Sequence, residues 1–328
     1  MPVTLDLEGQ DGQADAGPAV PALRHRRDGI LPTTAAALSL PGREHPLKGA
    51  AVLRSAQDAP RLHPLVRELL DALGPADRER HAGRCPEVAL ISRHLSEGGD
   101  ARLLRGAVIT TRHIREDGDP QHGTYAPHCR SCAALLAHFG VESVSEGAPG
   151  ADLTGPTLTL RMPAETRAGG GAGHGFDLDQ ALGYAGWQPG RRMIEQAERW
   201  ADTLSGHRSP LGHPHALFPA AFETWAEFGG LRLHPMGPGH RYAPGSVVID
   251  PLRGLHWART LSDLGQALET ELCPLGAEGG GTALLAMDRE ARMYALDHTG
   301  DWYLGPDLRT ALTTLLSGAE PGRLINPR

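Results

Sequence analysis

Lysine is almost missing from this chain. Of 32 basic residues only Lys48 is a lysine, and with 42 Gly and 27 Pro this reads as the bias of a GC-rich coding sequence, without chemical meaning. A positive excess is missing too: 39 acidic residues give a formal charge of −7, which excludes a globally basic nucleic-acid coat protein. No run approaches the roughly 20 apolar residues of a membrane span. The opening MPVTLDLEGQDGQADAGPAV is acidic and has no apolar core, so it is no secretory signal, and the expected location is cytoplasmic, away from membranes. Cysteine is scarce, at four residues, and without a signal peptide a disulfide framework is not expected. What is present is ample for folding: 328 residues, 40% apolar and 22% charged, enough for two domains with packed cores.

Residues 1–35 are rich in Gly, Ala, Asp and Pro without apolar periodicity, and read as a disordered leader. Globular patterning covers 36–150. AAVLR (50–54) reads as a strand, and Leu65, Val66, Leu69, Leu70 and Leu73 repeat at helical spacing. Cys85 to Leu95 continues as a second helix with Pro86 in its first turn. GAVITTRHI (106–114) is β-branched and reads as a strand. Cys129 to Phe139 forms a helix stopped by Gly140, and Val141–Val144 is the next strand. This order predicts an α/β domain with a crossover-built sheet. Residues 151–175 are Gly-rich and read as a flexible linker, although TLTLRM (157–162) alternates like a strand.

The segment 176–328 has an α+β pattern. Met193, Ala197, Trp200 and Leu204 form one helical stripe, and Phe218, Phe222, Trp225 and Phe228 another, read as core with a partner groove as the alternative. SVVID (246–250), TALLAMD (282–288) and ARMYALD (291–297) read as strands, the last two as a hairpin around Arg289-Glu290. Leu308, Leu312 and Leu315-Leu316 close it as a helix. Residues 36–150 carry 14 basic and 14 acidic side chains, and residues 176–328 carry 13 and 18. The second segment therefore suits a basic partner.

Three of the four cysteines carry the chemistry. Hydrolysis at zinc needs three protein ligands, one open position and a nearby unbound carboxylate to move protons. Cys85-Pro86-Glu87 sets a ligand and a carboxylate in one helical turn. Cys129-Arg130-Ser131-Cys132 places two thiols on one helix face at i and i+3. Helix N-termini also favour thiolate over thiol. Cys/His-x-Glu followed by Pro-Cys-x-x-Cys is the ligand pattern of the zinc deaminases. Glu87 and Cys129 are 42 positions apart, with a strand between them. A redox pair or inert core cysteines are the duller readings of Cys129 and Cys132. No thioredoxin-like strand and Trp precede them. Glu87 alone would be an ordinary helix-start anion; Cys85 two positions earlier changes that.

The segments GRCPEVALISRHL and HGTYAPHCRSCAALLAHFGV, over roughly residues 50–145, resemble the YwqJ-like deaminases, a toxin-associated branch of the cytidine deaminase-like fold. The resemblance implies Cys85, Cys129 and Cys132 as zinc ligands and Glu87 as the proton shuttle. His128 departs from the pattern, standing between Pro127 and Cys129, and is a candidate substrate contact. GYAGWQPGRRM (183–193), FPAAFETWAEFGGL (218–231), SVVIDP (246–251), PLGAEGGGTALLAMDREARMYAL (274–296) and DWYLG (301–305) together resemble a SUKH-superfamily immunity domain, whose members bind toxin domains.

The expectation is therefore a cytidine deaminase-like α/β domain followed by an α+β SUKH-like domain. The expected activity is zinc-dependent hydrolytic deamination of a nucleobase, in a small molecule or a nucleic acid. The alternative is a non-catalytic immunity or binding protein whose deaminase half is inactive or a decoy. Cys273 reads as a packed side chain, Trp187 and Trp302 as packing residues, and the loop histidines His207, His213 and His215 as no second metal site. If the halves meet, Arg102, Arg105, Arg112 and Arg115 are the candidates to face the acidic second half; two folded beads without contact are the alternative.

Overall fold

A computed structural model describes residues 19–27, 31–51, 61–144 and 176–327 of the chain. The first unit runs β1 (Thr33–Ser39), β2 (Leu47–Ala50), α1 (Pro64–Asp71), α2 (Pro86–Ser96), β3 (Val108–Ile114), α3 (Arg130–Phe139) and β4 (Glu142–Ser143). Its sheet has the order β2-β1-β3-β4. The β1–β2 and β1–β3 pairs are antiparallel, and β3–β4 is the parallel pair that α3 crosses over to make. Val88, Ile91 and Leu95 of α2 pack with Leu38 and Ile109 of the sheet and with Leu135, Leu136 and Phe139 of α3. Gly140 adopts φ 69° at the end of α3, where an L side chain would be strained, so it stops the helix as its sequence position suggests.

The second unit comprises α4 (Leu178–Tyr184), α5 (Ile194–Gly206), α6 (Pro219–Phe228), β5 (Arg232–Leu233), β6 (Val247–Val248), α7 (Ala258–Leu268), β7 (Leu272–Glu278), β8 (Ala283–Asp288), β9 (Met293–Asp297), β10 (Gly300–Gly305), α8 (Leu308–Ser317) and β11 (Gly322–Arg323). The sheet is an antiparallel meander in the order β11-β10-β9-β8-β7-β6-β5. Both of its faces are covered, which explains why β8 is buried at every position rather than at alternate ones. Leu285 and Met287 face the helices α4, α5, α6 and α8, while Leu284 and Ala286 face α7. Cys273 is buried in the first of these cores. So are Phe218, Trp225 and Phe228, and Trp187 stacks on Phe228.

Several boundaries differ from the sequence reading. Residues 33–35, assigned to the leader, pair in β1, because Thr33 to Leu38 satisfies its backbone groups against β3. Residues 19–27 are also engaged: Leu23 packs with Trp257 and Leu261 of the α7 core, and the Arg24 amide donates to Ala267 O at 2.7 Å. Arg27 is buried against Asp263 and Asp301. The strand expected over 50–54 lies at 47–50 instead, and residues 52–54 fall outside the described residues. The expected linker (151–175) and the TLTLRM strand also lie outside them.

The two units are in contact. The Arg80 guanidinium donates to Glu278 Oε2 at 2.5 Å and to Asp297 Oδ2 at 3.3 Å, and lies over the Trp302 ring. Glu116 Oε1 accepts from the Thr260 backbone N–H at 2.6 Å and its hydroxyl at 2.5 Å. Arg130 donates to Pro244 O and the Ala243 amide to Arg78 O. The expected arginines are mostly placed otherwise. Arg102 pairs locally with Asp100, and Arg112 donates to Gly123 O. Arg115 meets the second half, over the Trp257 ring. The ion-pair contact passes instead through Arg80, because the loop that carries it is anchored on α3: Ser131 Oγ donates to Asp77 O and accepts from the Glu79 amide.

Candidate metal centre at the junction of the two halves

Cys85 is the N-cap residue of α2 with Pro86 at the first helical position, so its side chain leaves the helix start. Cys129 occupies the same position on α3, and its sulfur accepts from the Cys132 amide at 3.5 Å. Two helix starts therefore converge, and the sulfurs of Cys85, Cys129 and Cys132 all lie within 4.8 Å of one another. Cys85 Sγ and Cys129 Sγ are 3.7 Å apart. With Zn–S bonds of about 2.3 Å, a tetrahedral site requires a sulfur–sulfur edge of about 3.8 Å. The spacing is that of zinc ligands rather than of a disulfide.

Glu87, in the first turn of α2, is buried beside Cys132. Its Oε1 accepts from Thr111 Oγ1 of β3 at 3.3 Å and meets His128 Nδ1 at 2.7 Å, while Cys132 Sγ points to Oε2 at 3.7 Å. His128 Nε2 meets Ser143 Oγ at 2.7 Å. Both ring nitrogens of His128 are thus engaged, one of them with the carboxylate. His113 lines the same cavity and contacts Arg115, whereas the His122 ring hydrogen-bonds the Arg115 backbone.

Two further histidines enter the site, and the sequence patterns did not mark either. His81, Cys85 and His298 form a second group whose donor atoms lie within 4.8 Å of one another. His298 comes from the second unit, and its Nε2 is 3.2 Å from Cys85 Sγ. The His81 ring stands edge-on to that of His298, and neither His81 nitrogen has a hydrogen bond of normal geometry. His81 follows four residues before Cys85, a spacing that could have drawn attention; for His298 the sequence offers no signal.

The electrostatics are those of a site assembled for a cation. Hydrogen bonds from the Cys132 and Cys85 thiols, helped by His81, hold Cys129 well below the usual thiol range. The hydrogen bond to Cys129 in turn holds the Cys85 thiol up, and the same bond raises Cys132. Burial pulls His81 down, but the adjacent Cys129 sulfur and Asp297 prevail and raise it to about 9. Burial and the neighbouring His81 push His298 down to about 4. Burial would raise the Asp297 carboxyl, yet Arg80, His81 and His298 hold it far below the carboxylate range. A dication bound by these thiols would take the place of their protons. The donor set of three sulfurs with imidazole nitrogen at hand fits zinc.

The cavity at this centre is small, about 30 Å³, and Thr282 and His298 of the second unit line it. A much larger cavity of about 620 Å³ lies elsewhere, between α7 and the β8–β9 turn, with His215, Glu271 and Arg289 in its wall. It holds no metal-ligating cluster among the described residues. Likewise His207 and His215 form none; His215 Nε2 hydrogen-bonds Leu255 O at 2.8 Å.

These features define a cluster of three cysteines and a buried carboxylate in the first unit, with a hairpin histidine of the second unit beside it. Comparison with known families agrees with that division. Residues 21–141 match the YwqJ-like deaminase family, and residues 176–318 match the SUKH-3 immunity protein family. The chain joins a YwqJ-like deaminase domain to a SUKH-3 immunity domain. No curated protein and no solved structure matches it. Among the described residues no helix is long and apolar enough to cross a membrane.

Proposed function

We propose that the deaminase half is a zinc-dependent hydrolytic deaminase of a nucleobase-type substrate, built on a cytidine deaminase-like fold. Cys85, Cys129 and Cys132 hold the metal, and Glu87 carries the protons. The observation that supports this most is the position of Glu87, buried with Cys132 Sγ 3.7 Å from its Oε2 but outside the groups that could ligate a metal. When bound, zinc supplies the acidity that makes a water molecule nucleophilic near neutral pH. The protein's own part is proton traffic. Glu87 accepts the proton of the attacking water and delivers it to the departing amine, so that ammonia leaves. Thr111 fixes the carboxylate on one side. His128, bonded to the same oxygen at 2.7 Å, is better suited as a positioning residue for Glu87 than as a substrate contact. The SUKH-3 half is the binding module, and its partner is a toxin domain.

The test couples zinc analysis to ammonia release from nucleosides and nucleic acids. One zinc per chain, lost in Cys129→Ser and retained in Glu87→Gln, is expected. Full zinc in the Cys85/Cys129/Cys132 triple Ser variant overturns the site, and zinc loss in Glu87→Gln makes Glu87 a ligand. A second reading, a non-catalytic immunity protein with the same metal centre, is favoured by the small size of the cavity, about 30 Å³, with His298 of the second unit in its wall. Turnover by any form of the chain excludes it.

A further inference from the structure

A hairpin of the second unit contributes to the wall of this cavity. β9 ends at Asp297 and β10 starts at Gly300, so His298 and Thr299 are the tip of a two-residue hairpin. The tip is rigid: Asp297 Oδ1 accepts from the Thr299 amide at 2.7 Å and from its hydroxyl at 2.6 Å. The other carboxylate oxygen of Asp297 is held by Arg80 of the deaminase half. The hairpin is therefore clamped at its base by the domain it enters, and its one outward imidazole points at the first of the three thiols. The distance from His298 Nε2 to Cys85 Sγ is 3.2 Å. For Zn–S of about 2.3 Å and Zn–N of about 2.0–2.1 Å, a tetrahedral edge between sulfur and nitrogen is about 3.6 Å. Against Cys85 the His298 nitrogen is within a few tenths of an ångström of a ligand's spacing; it groups within 4.8 Å with Cys85 and His81 rather than with all three sulfurs, so its ring would turn toward Cys129 and Cys132 to complete the tetrahedron. His81 is also near, but it does not line the cavity, whereas His298 does.

We propose that His298 of the SUKH-3 half is the fourth protein ligand of the metal held by Cys85, Cys129 and Cys132, so that the chain's own immunity domain closes its deaminase centre. The proposal rests on the three-thiolate reading given above and extends it to regulation. Three protein ligands and an open position make a catalytic zinc; four make a structural one. With His298 in place, the position a water would need is taken and a base has no room to enter. The same ligand staples the two domains together. Release requires the β9–β10 hairpin to withdraw, and a partner that binds this face of the SUKH-3 half would cause it.

X-ray absorption at the zinc edge of the full chain tests this without reference to activity. The expected wild-type site has three sulfurs and one imidazole. In His298→Ala the imidazole contribution should disappear while the sulfur count stays at three. Zinc release to a chelator should then speed up by about tenfold or more, since even groups outside the ligand shell commonly change affinity on that scale. Added free imidazole should restore the wild-type spectrum. His298→Cys supplies a second variant that the metal itself can hold together, and its sulfur count should rise to four. An unchanged spectrum in His298→Ala, a count that stays at three in His298→Cys, or loss of the imidazole in His81→Ala instead would each overturn the assignment alone. A full chain that binds no zinc, or keeps it in the triple Ser variant, would overturn the three-thiolate reading and the assignment with it.

Discussion

Replacing Arg80 by Met should open the junction between the halves. The guanidinium is 10% exposed and lies between Glu278, also 10% exposed, and Asp297, 1% exposed. Methionine keeps much of the side-chain volume but leaves two buried carboxylates without the guanidinium between them. Removing one member of a buried pair costs about 3–5 kcal/mol. Asp297 keeps its two hydrogen bonds from Thr299, and His81 Nδ1 stands 3.8 Å away, so the lower end applies. At 1.4 kcal/mol per decade, about 3 kcal/mol shifts the closed–open equilibrium by roughly a hundredfold. Metal-free full chain treated with a thiol reagent, followed by peptide mass spectrometry, measures this directly. Cys85 should react about a hundred times faster in Arg80→Met than in the wild type. Cys273 is an internal clock, because it is buried in the core of the second unit and reacts only when that unit unfolds. The reasoning fails if Cys85 accelerates by less than about fivefold, the scale of an exposed pair worth no more than about 1 kcal/mol. It also fails if Cys273 accelerates equally, since the variant would then be unfolding rather than opening.

Glu87→Gln keeps helix geometry but cannot accept a proton, so deamination by an opened form of the chain should fall by about a hundredfold or more at unchanged zinc content. Cys273→Ser should leave zinc stoichiometry unchanged, yet lower the unfolding free energy of the second unit, read from denaturant titration, by about 1–3 kcal/mol, because a hydroxyl replaces a thiol in an apolar core. His215 carries a pH signature. Burial holds its imidazole down to about 4 against an unfolded value near 6.5, so the unfolded chain binds the extra proton between those values. The stability it protects is complete above about pH 6.5 and is lost as pH falls towards 4, on the order of 1–3 kcal/mol. Urea titrations at pH 7 and pH 4.5 should show this loss in the wild type and a smaller one in His215→Gln.

The sequence by itself determined the local parts of the site. Pro86 after Cys85 and the Cys-x-x-Cys spacing place thiols at two helix starts, and helical pitch alone brings Glu87 beside one and Cys132 beside the other. The β8–β9 hairpin and the stop at Gly140 were equally legible, because turn chemistry and apolar periodicity act over a few residues. The leader boundary was not: Thr33–Ser39 becomes a strand only because β3, more than sixty residues later, supplies its hydrogen-bond partners. Nor did any periodicity mark Arg80, which ordinary surface arginines resemble until Glu278 and Asp297 are folded around it. His298 is the extreme case. It lies 213 positions from Cys85 and looks like a solvated turn histidine. Tertiary structure alone decided that this turn enters the deaminase centre, because the docking rests on buried charge pairs and backbone hydrogen bonds between residues that no local pattern relates.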